Sequence, residues 1–391
     1  MIKNADHDAW LLTAARNLDI AEEAGVDLAT PCTGCYGTLK GANHELMANS
    51  RLLAAVNAKL AKIGRHYHAH TDVKHVLAVL WDDFGPQTLQ QRVVRPMTGL
   101  RIAVHYGCHL LRPSRELGFD DPFAPKKFDQ LVEALGAKSV NYDSKMLCCG
   151  GLLARADEQA QAENMCRMKL RELSALQVDC MVVACPSCTM QYEIQQANFA
   201  RAGECYNVPV LNYMELIGLA LGLEPDELGL PAHRVDTNSF FARWAELRLA
   251  QENLKQHFNL KGLTGCAECN GCRNDCPVNL GDPTWVPNEV IQRLAAGDLD
   301  GVIASKAAWK CHECYTCADR CCQSYSMMEI FRTLKHLSVE RGVVPTGVAD
   351  GIATVQNTGV MITGSEAARK RLKLPASAKS GAEELATLLG E

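Results

Sequence analysis

In the N-terminal half of the chain, apolar positions follow a helical spacing in some stretches and form short continuous runs in others. Two passages share one order: a helical stretch, a short apolar strand, a Cys-x-x-Cys turn and a second helical stretch. The predicted elements are a helix over 8–24, a strand over 26–30 and a helix over 36–62, and then a helix over 155–177, a strand over 179–184 and a helix from 190 onward. The two passages align with a single gap, which indicates an internal duplication.

Further strands are predicted between the two passages, over 100–106 and 139–142, with a helix over 127–136. Alternating strands and helices predict α/β units, in which ligands bind beyond the carboxyl ends of the strands. The apolar periodicity disappears over residues 223–239, where glycine and proline recur, and this stretch is interpreted as a linker. Helical patterns then follow without a convincing strand between them, over 240–258, 287–297 and 327–341.

Composition and charge narrow the function classes. The 391 residues are enough for two or three domains, and a formal charge of −5 gives no reason to expect binding to nucleic acid. With no apolar signal region and no run long enough to span a bilayer, the protein is expected to be cytoplasmic, or held at a membrane by a partner. Neither a Gly-x-Gly-x-x-Gly nor a P-loop motif occurs, so no flavin or nucleotide site is expected in this chain.

The cysteine content changes this picture most, because 19 cysteines without a secretion signal indicate metal ligation rather than disulfides. Two runs in the C-terminal part have the spacing of bacterial ferredoxins, in which three thiolates wrap one cubane cluster and the fourth reaches the other. The predicted ligand sets are Cys266, Cys269, Cys272 and Cys321 for one [4Fe-4S] cluster, and Cys311, Cys314, Cys317 and Cys276 for the other. Cys322 is interpreted as a spare thiol. A pair of structural zinc sites is the alternative, and it is disfavoured because zinc does not need this double run.

Five further cysteines are spread over about eighty residues in three groups, each group beside glycine or proline: Cys108, Cys148 with Cys149, and Cys185 with Cys188. Adjacent thiolates such as Cys148 and Cys149 ligate one iron with poor geometry, but they can bind neighbouring irons. The set therefore suits an irregular iron–sulfur cluster assembled from distant turns.

These cysteines and their neighbours resemble the cysteine-rich CCG domain proteins, specifically the B-type subunit of CoB–CoM heterodisulfide reductase. The resemblance is carried by His-Tyr-Gly-Cys-His-Leu-Leu-Arg-Pro at 105–113, Cys-Cys-Gly-Gly at 148–151 and Cys-Pro-Ser-Cys at 185–188. It implies a catalytic, noncubane [4Fe-4S] cluster on those five cysteines. The helical part resembles the C-type subunit of the same enzyme, which carries two cubane clusters. The implied fold class is α/β cysteine-rich (CCG) domains followed by a mostly α-helical ferredoxin-like domain.

The sequence departs from the family pattern in its first cysteine-rich domain. The B-type subunit has two such domains, but the counterpart of the Cys148–Cys149 pair would fall before Met1, so only Cys32 and Cys35 are left as predicted metal ligands there. Either the N-terminus is missing or the first cluster is incomplete, and we expect a missing N-terminus because the chain opens mid-domain on a helix. The predicted domains are a partial first CCG domain at 1–98, a second at 99–222, the linker at 223–239, the ferredoxin domain at 240–345 and a C-terminal extension at 346–391.

The resemblance implies an oxidoreductase that acts as part of a complex. A flavin- and iron–sulfur-bearing partner, similar to the family's A-type subunit, would supply electrons to two cubane clusters. One or two noncubane clusters would then reductively cleave a disulfide such as CoM-S-S-CoB, or another small-molecule or protein disulfide. The alternative is an iron–sulfur electron-transfer subunit of a membrane-linked dehydrogenase or quinone reductase, although such relatives usually place the ferredoxin segment first.

Overall fold

The structure is a computed structural model that describes residues 2–269, 271–361, 364–375 and 381–390. The chain forms two compact units, unit 1 over residues 1–248 and unit 2 over residues 249–391. Unit 1 contains the strands, the Cys32–Cys35 turn and the five cysteines predicted for the noncubane cluster. Unit 2 contains both ferredoxin-like runs.

Every strand pair in unit 1 is parallel. Strands β1 (Leu28–Thr30) and β2 (Val73–His75) form a two-stranded sheet. A second sheet has the order β4-β3-β5-β6, and its strands are β3 (Arg101–His105), β4 (Lys138–Val140), β5 (Cys180–Val183) and β6 (Val210–Asn212). Because parallel strands end at one edge, the segments that follow β1, β3 and β5 can bring their cysteines to the carboxyl edges of the sheets.

The helices of unit 1 cover the sheets. They are α1 (Ile2–Ala5), α2 (His7–Glu23), α3 (Thr33–Ala48), α4 (Ser50–Leu60), α5 (Val76–Ala78), α6 (Pro86–Arg92), α7 (Ser114–Leu117), α8 (Lys127–Ala134), α9 (Gly151–Ala154), α10 (Gln159–Ala175), α11 (Pro186–Arg201) and α12 (Tyr213–Ala220), with α13 (Asn238–Lys255) at the division between the units. The single helix predicted over 36–62 is two helices, because the Asn49 side chain accepts hydrogen bonds from the N–H groups of Arg51 and Leu52 and so begins α4.

The two passages with similar sequence fold in the same way. In the first, α2 leads to β1 and then, through the Cys-x-x-Cys turn, to α3, with β2 paired to β1. In the second, α10 leads to β5 and α11, with β6 paired to β5. Strands β3 and β4 lie on the other side of β5, and residues 2–98 contain no counterpart of them.

The central strands of the larger sheet are buried on both faces, as expected of a parallel sheet covered by helices. Alternate residues of β5 therefore enter different cores. Cys180 and Val182 pack in one apolar cluster with Ile102, whereas Met181 and Val183 pack in another. The second cluster also contains Cys149, Cys185 and Cys188, so the thiols lie against one face of the sheet.

The segment interpreted as a linker, residues 223–239, packs on unit 1. Leu230 in its short 3-10 turn is fully buried, and His233 lies between the carboxylates of Glu193 on α11 and Glu215 on α12. Its loss of apolar periodicity therefore reflects an irregular but anchored backbone.

Unit 2 is helical throughout its described residues, without strands, as the sequence predicts. Its helices beyond α13 are α14 (Leu260–Glu268), α15 (Pro277–Gly281), α16 (Pro287–Ala295), α17 (Leu299–Ala304), α18 (Thr316–Asp319), α19 (Met327–Glu340), α20 (Thr346–Thr358), α21 (Glu366–Arg371) and α22 (Ala382–Leu389). Its core is formed around Ile291, Leu294, Phe331 and Leu334 of α16 and α19, with the ferredoxin-like cysteines at its border.

Within the described parts of both units, the helices are too short or too polar for any of them to cross a membrane.

Candidate metal centres

The cysteines of unit 1 converge although they are far apart in sequence. The Cys108 and Cys148 sulfurs are 3.9 Å apart, and the Cys149 and Cys188 sulfurs are 3.5 Å apart. Cys32 of the first passage joins the same group, since its sulfur lies 3.7 Å from that of Cys185. All five cysteines predicted for the noncubane cluster therefore lie in one site, and Cys32 lies there with them.

The two Cys-x-x-Cys turns hold their thiols in matching ways. Cys32 and Cys185 are the N-cap residues of α3 and α11, both with extended backbone. The sulfur of each accepts a hydrogen bond from the backbone N–H of the second cysteine, Cys35 or Cys188. The start of a helix favours negative charge, so these turns are suited to thiolates.

The other thiols are placed by turns that require glycine. Gly107 has a φ of +72°, and it lets the chain turn sharply after β3 to bring Cys108 to the site. Gly150, with a φ of +76°, follows the Cys148–Cys149 pair, and a Cβ at this position would lie 2.8 Å from the backbone of Ala162. Its N–H donates to the Cys148 sulfur at 3.4 Å. Gly150 thus serves both the turn and the sulfur.

The thiols divide into two that readily carry negative charge and four that retain their protons. Hydrogen bonds from Cys108 and Cys149 lower the pKa of Cys148 to about 2. Hydrogen bonds from Cys188, Cys32 and Thr33 hold the pKa of Cys185 far below its usual range. The pKa values of the donor thiols rise in turn, that of Cys149 to about 11. Six thiols this close together cannot all ionise without a positive partner, so the set suits a cationic iron group.

Buried polar side chains surround these thiols, and most of them were not predicted as site residues from the sequence. Lys169 of α10 is fully buried, and burial lowers its pKa to about 7. His105 Nε2 and Tyr192 Oη are buried without a hydrogen-bond partner. His75, at the end of β2, bonds through Nε2 to the Ala184 carbonyl at 3.0 Å, and burial lowers its pKa to about 4. No spacing rule indicates Lys169 or Tyr192, because each comes from a helical pattern that reads as ordinary packing.

The first ferredoxin-like set also converges in unit 2. Burial, as the largest cause, and the negative charges of Cys272, Cys321 and Cys269 together raise the pKa of Cys266 to about 12. Cys317 of the other set contributes as well, so thiols of both runs lie near Cys266. The backbone N–H of Tyr325 donates to the Cys321 sulfur at 3.2 Å, the kind of hydrogen bond that tunes cluster ligands.

The second set lines a partly open cavity in unit 2. Its wall contains all four cysteines predicted for that cluster, together with one cysteine of the other set and three aromatic side chains: Cys276, Cys311, Cys314, Cys317, Cys272, Trp285, Tyr315 and Phe331. Trp285 Nε1 is a buried donor without a partner, and the Met328 N–H donates to the Cys317 sulfur at 3.2 Å. Cys322, the predicted spare thiol, is exposed.

The residues fit iron–sulfur groups better than single ions. In the described ranges, no three His, Cys, Asp or Glu side chains are spaced to surround one metal ion. The unit 1 sulfurs instead make pairwise contacts, and the cavity in unit 2 is bordered by thiols and by the unpartnered Trp285 N–H. The assignment of each cysteine to a particular cluster stays a prediction.

A cysteine-rich α/β unit followed by a helical unit with two ferredoxin-like runs defines an iron–sulfur electron-transfer protein. Comparison with known families agrees: residues 2–40 and 102–193 match the cysteine-rich domain family CCG, and residues 242–326 match a 4Fe-4S dicluster domain. The chain is 41% identical over 249 residues to the B-type subunit of the ferredoxin/F(420)H(2)-dependent CoB-CoM heterodisulfide reductase of Methanosarcina acetivorans, which covers 63% of this chain and 83% of that protein. The chain belongs to the family of heterodisulfide reductase B-type subunits.

Two other relatives extend the comparison. The C2-type subunit of the H(2)/formate:CoB-CoM heterodisulfide,ferredoxin reductase of Methanococcus maripaludis is 34% identical over 80 residues, 20% of this chain and 42% of that protein. This chain therefore combines regions like the B-type and the C-type subunits. The 8-methylmenaquinol:fumarate reductase membrane anchor subunit of Wolinella succinogenes is 34% identical over 229 residues, 58% of this chain and 79% of that protein.

Proposed function

We propose that this chain is the electron-relay and catalytic subunit of a heterodisulfide-reductase-like complex. Two cubane [4Fe-4S] clusters on the predicted ligand sets of unit 2 receive electrons from a flavin- and iron–sulfur-bearing partner. The cysteine site of unit 1, which holds one or two noncubane clusters, cleaves a disulfide. The reaction consumes two electrons and two protons and converts R–S–S–R′ into RSH and R′SH.

One observation carries the proposal: thiols from both similar passages meet in a single site. Cys32 and Cys185 occupy the same position in their respective passages, and their sulfurs are 3.7 Å apart. Cys35, beside Cys32, is exposed to solvent. A disulfide has two sulfurs that separate on reduction, so an iron–sulfur site that gathers equivalent thiol turns from both passages suits this reaction.

The residues of unit 1 support this role by holding charge. The Cys148 and Cys185 sulfurs accept several hydrogen bonds each, and Thr33 adds one from the first passage to Cys185. When bound, the clusters supply one-electron transfer and stabilise sulfur that would otherwise leave as a free radical. The exposed position of Cys35 gives a small disulfide a route of approach from solvent.

The motifs of this chain support electron entry through a partner. The sequence has no motif for a flavin or nucleotide, which favours a two-electron donor bound to another chain. The relatives of this chain are named as subunits of heterodisulfide reductases, which supports assembly with partner subunits. We propose a partner similar to the family's A-type subunit as the donor.

The test is disulfide cleavage by the iron-loaded full chain with reduced viologen as donor, under anaerobic conditions. CoM-S-S-CoB is the first substrate, and glutathione disulfide and a protein disulfide are the others. We expect cleavage to fall at least about 100-fold in Cys185→Ser, because a hydroxyl cannot replace an iron-bound thiolate. Cys205→Ser is the matched control, since Cys205 is exposed and outside every cysteine group. A fully loaded protein that cleaves none of the disulfides contradicts the proposal.

A second candidate is electron transfer with a quinol, favoured by the similarity to the Wolinella protein. The same preparation distinguishes the two, because the second candidate predicts oxidation of a menaquinol analogue with no disulfide cleavage. The order of the regions, with the ferredoxin-like runs second, favours disulfide reduction.

A further inference from the structure

Lys169 is the most unusual charged residue of unit 1. It lies on α10 with 0% of its surface exposed, although a buried lysine is costly unless its ammonium is bonded. Its Nζ has three partners: the Lys145 carbonyl at 3.0 Å, His105 Nδ1 at 3.1 Å and Tyr142 Oη at 3.5 Å. An ammonium has three protons, so these contacts use all of them.

The directions of these bonds fix the state of His105. The Lys145 carbonyl can only accept, and the Tyr142 hydroxyl already donates to the Val104 carbonyl at 2.9 Å, so both accept from Lys169. His105 Nδ1 then accepts the third proton of the ammonium. An imidazole with an accepting Nδ1 carries its own proton on Nε2.

His105 Nε2 borders the same small space as the Cys188 thiol. This nitrogen is fully buried and unpartnered, and the imidazole packs edge-on against Tyr192 with ring centroids 5.3 Å apart. The space above Gly107 borders it: a Cβ built there would lie 4.0 Å from His105 Nε2, 3.9 Å from the Cys188 sulfur and 3.8 Å from Thr33 Oγ1. Glycine at 107 keeps this space clear between the imidazole and the cysteines.

We propose that His105 is a fixed N–H donor to an anionic sulfur of the iron–sulfur group in unit 1, and that Lys169 is the positioning residue that holds it in the donating tautomer. The proposal rests on the proposed function only in assigning an iron–sulfur group to these cysteines. Both residues favour added negative charge in the site, His105 through its hydrogen bond and Lys169 through its ammonium. The ammonium is favoured in return by the sulfurs of Cys188, Cys149 and Cys148 when they carry negative charge as iron ligands, and by the Glu172 carboxylate.

The test is a redox titration of the iron-loaded full chain, followed by electron paramagnetic resonance without substrate. His105→Phe keeps a ring but has no donor, and Lys169→Met keeps the length but has no charge. We expect both to shift the midpoint potential of the unit 1 group to more negative values. His105→Gln retains an N–H donor, so its midpoint potential should lie between that of His105→Phe and that of the unsubstituted chain. The double variant should shift the potential by less than the sum, because Lys169 acts partly through His105.

Two references control for disturbed packing. Leu173→Met changes another fully buried residue of α10 without touching the hydrogen bonds, and its midpoint should equal that of the unsubstituted chain. The two clusters assigned to unit 2 should keep their potentials in every variant. The proposal is overturned if His105→Phe and Lys169→Met have the same unit 1 midpoint potential as Leu173→Met. It is also overturned if the midpoint potential of His105→Gln equals that of His105→Phe.

The measurement separates this proposal from the proposed function, because it needs the iron–sulfur group but no substrate. A protein that cleaves no disulfide but shows the shifts supports the donor role and contradicts the reductase. A protein that cleaves disulfides without the shifts supports the reductase and overturns the donor role.

Discussion

The two units collect their cysteines in opposite ways. In unit 2 the predicted ligands come from two short runs, and their thiols line one cavity and its immediate border. In unit 1 they come from turns as far apart as Cys32 and Cys185, which are separated by 153 positions. The first arrangement depends on local loops and the second on the sheets. The difference shows that a local run predicts a ligand set, whereas a dispersed site is defined only by the fold.

The difference extends to what supports the sulfurs. In unit 2, Cys266 is part of the only apolar core cluster found in the described residues of that unit, and other ligand cysteines pack against it. Unit 1 has a large second cluster, around Ile102, Val182 and Leu216, that contains none of its site cysteines. Unit 1 therefore has an apolar core that is independent of its metal site. Unit 2 has no such independent core among its described residues.

Removal of iron should produce the largest difference in stability between the two units. Ligand binding to the folded state contributes directly to stability, so apo unit 2 should lose about 3 kcal/mol or more and its Tm should fall by about 10 °C or more. Unit 1 should keep its unfolding transition to within a few degrees. Calorimetry with and without an iron chelator measures both transitions. Equal falls in the two units would contradict the distinction.

A substitution at Gly150 tests the tertiary support of the unit 1 site. In Gly150→Ala the new Cβ meets the Ala162 backbone at 2.8 Å, and φ is +76°, so we expect a loss of about 3 kcal/mol or more. Gly25→Ala is the matched control: φ is +65° but no atom lies within 4 Å, so its cost should be about 1 kcal/mol. Urea unfolding of unit 1 measures the difference. Similar losses in the two variants would show that backbone strain alone, and not close packing behind the thiols, matters at Gly150.

His233 should make unit 1, but not unit 2, sensitive to alkaline pH. Hydrogen bonds to Glu193 and Glu215 raise the pKa of His233 from 6.5 to about 10 in the folded chain. A raised pKa means that the stabilisation is complete below about pH 6.5 and is lost as the pH rises to about 10. The loss should be on the order of 3 kcal/mol, because the side chain is largely buried.

Unfolding measured from pH 6 to 10 tests this dependence. His233→Gln should be less stable at pH 6 and should lack most of the decline, whereas His44→Gln, at an exposed position of α3, should follow the unsubstituted chain. An identical decline in His233→Gln would assign the pH dependence to other groups.

The sequence predicts the fold of each unit well because both rely on strong local patterns. The strand at β5 is a continuous apolar run, and the helix at α19 has apolar residues at helical spacing, so both are found within a few residues. Strands β2 and β6 were missed although they are no shorter than β1 and β4. Lys74 interrupts β2, and β6 runs directly into α12, so neither shows a continuous apolar run of its own. Anchoring of residues 223–239 depends on His233 meeting two distant carboxylates, which no local pattern indicates.

The sequence predicted site residues best where the ligands lie close together along the chain. Spacing alone indicated the thiols that line the unit 2 cavity, and motif resemblance indicated the five that converge in unit 1. The contact of Cys32 with Cys185 was not predicted, because it depends on how two sheets meet. Lys169 was also missed, since a lysine in a helical pattern predicts an exposed side chain and its burial follows only from the packing of α10.

The smallest expected effect concerns adjacent cysteines in unit 2. Cys321 accepts a hydrogen bond from the Tyr325 N–H at 3.2 Å, whereas Cys322 is exposed. Cys322→Ser should therefore leave iron content, visible absorbance and Tm unchanged. Cys321→Ser is the comparison, and it should lose about four iron atoms per chain, the content of one cluster. If Cys322→Ser lost iron instead, the fourth ligand would not follow the ferredoxin spacing, and local spacing would no longer suffice to assign ligands in unit 2.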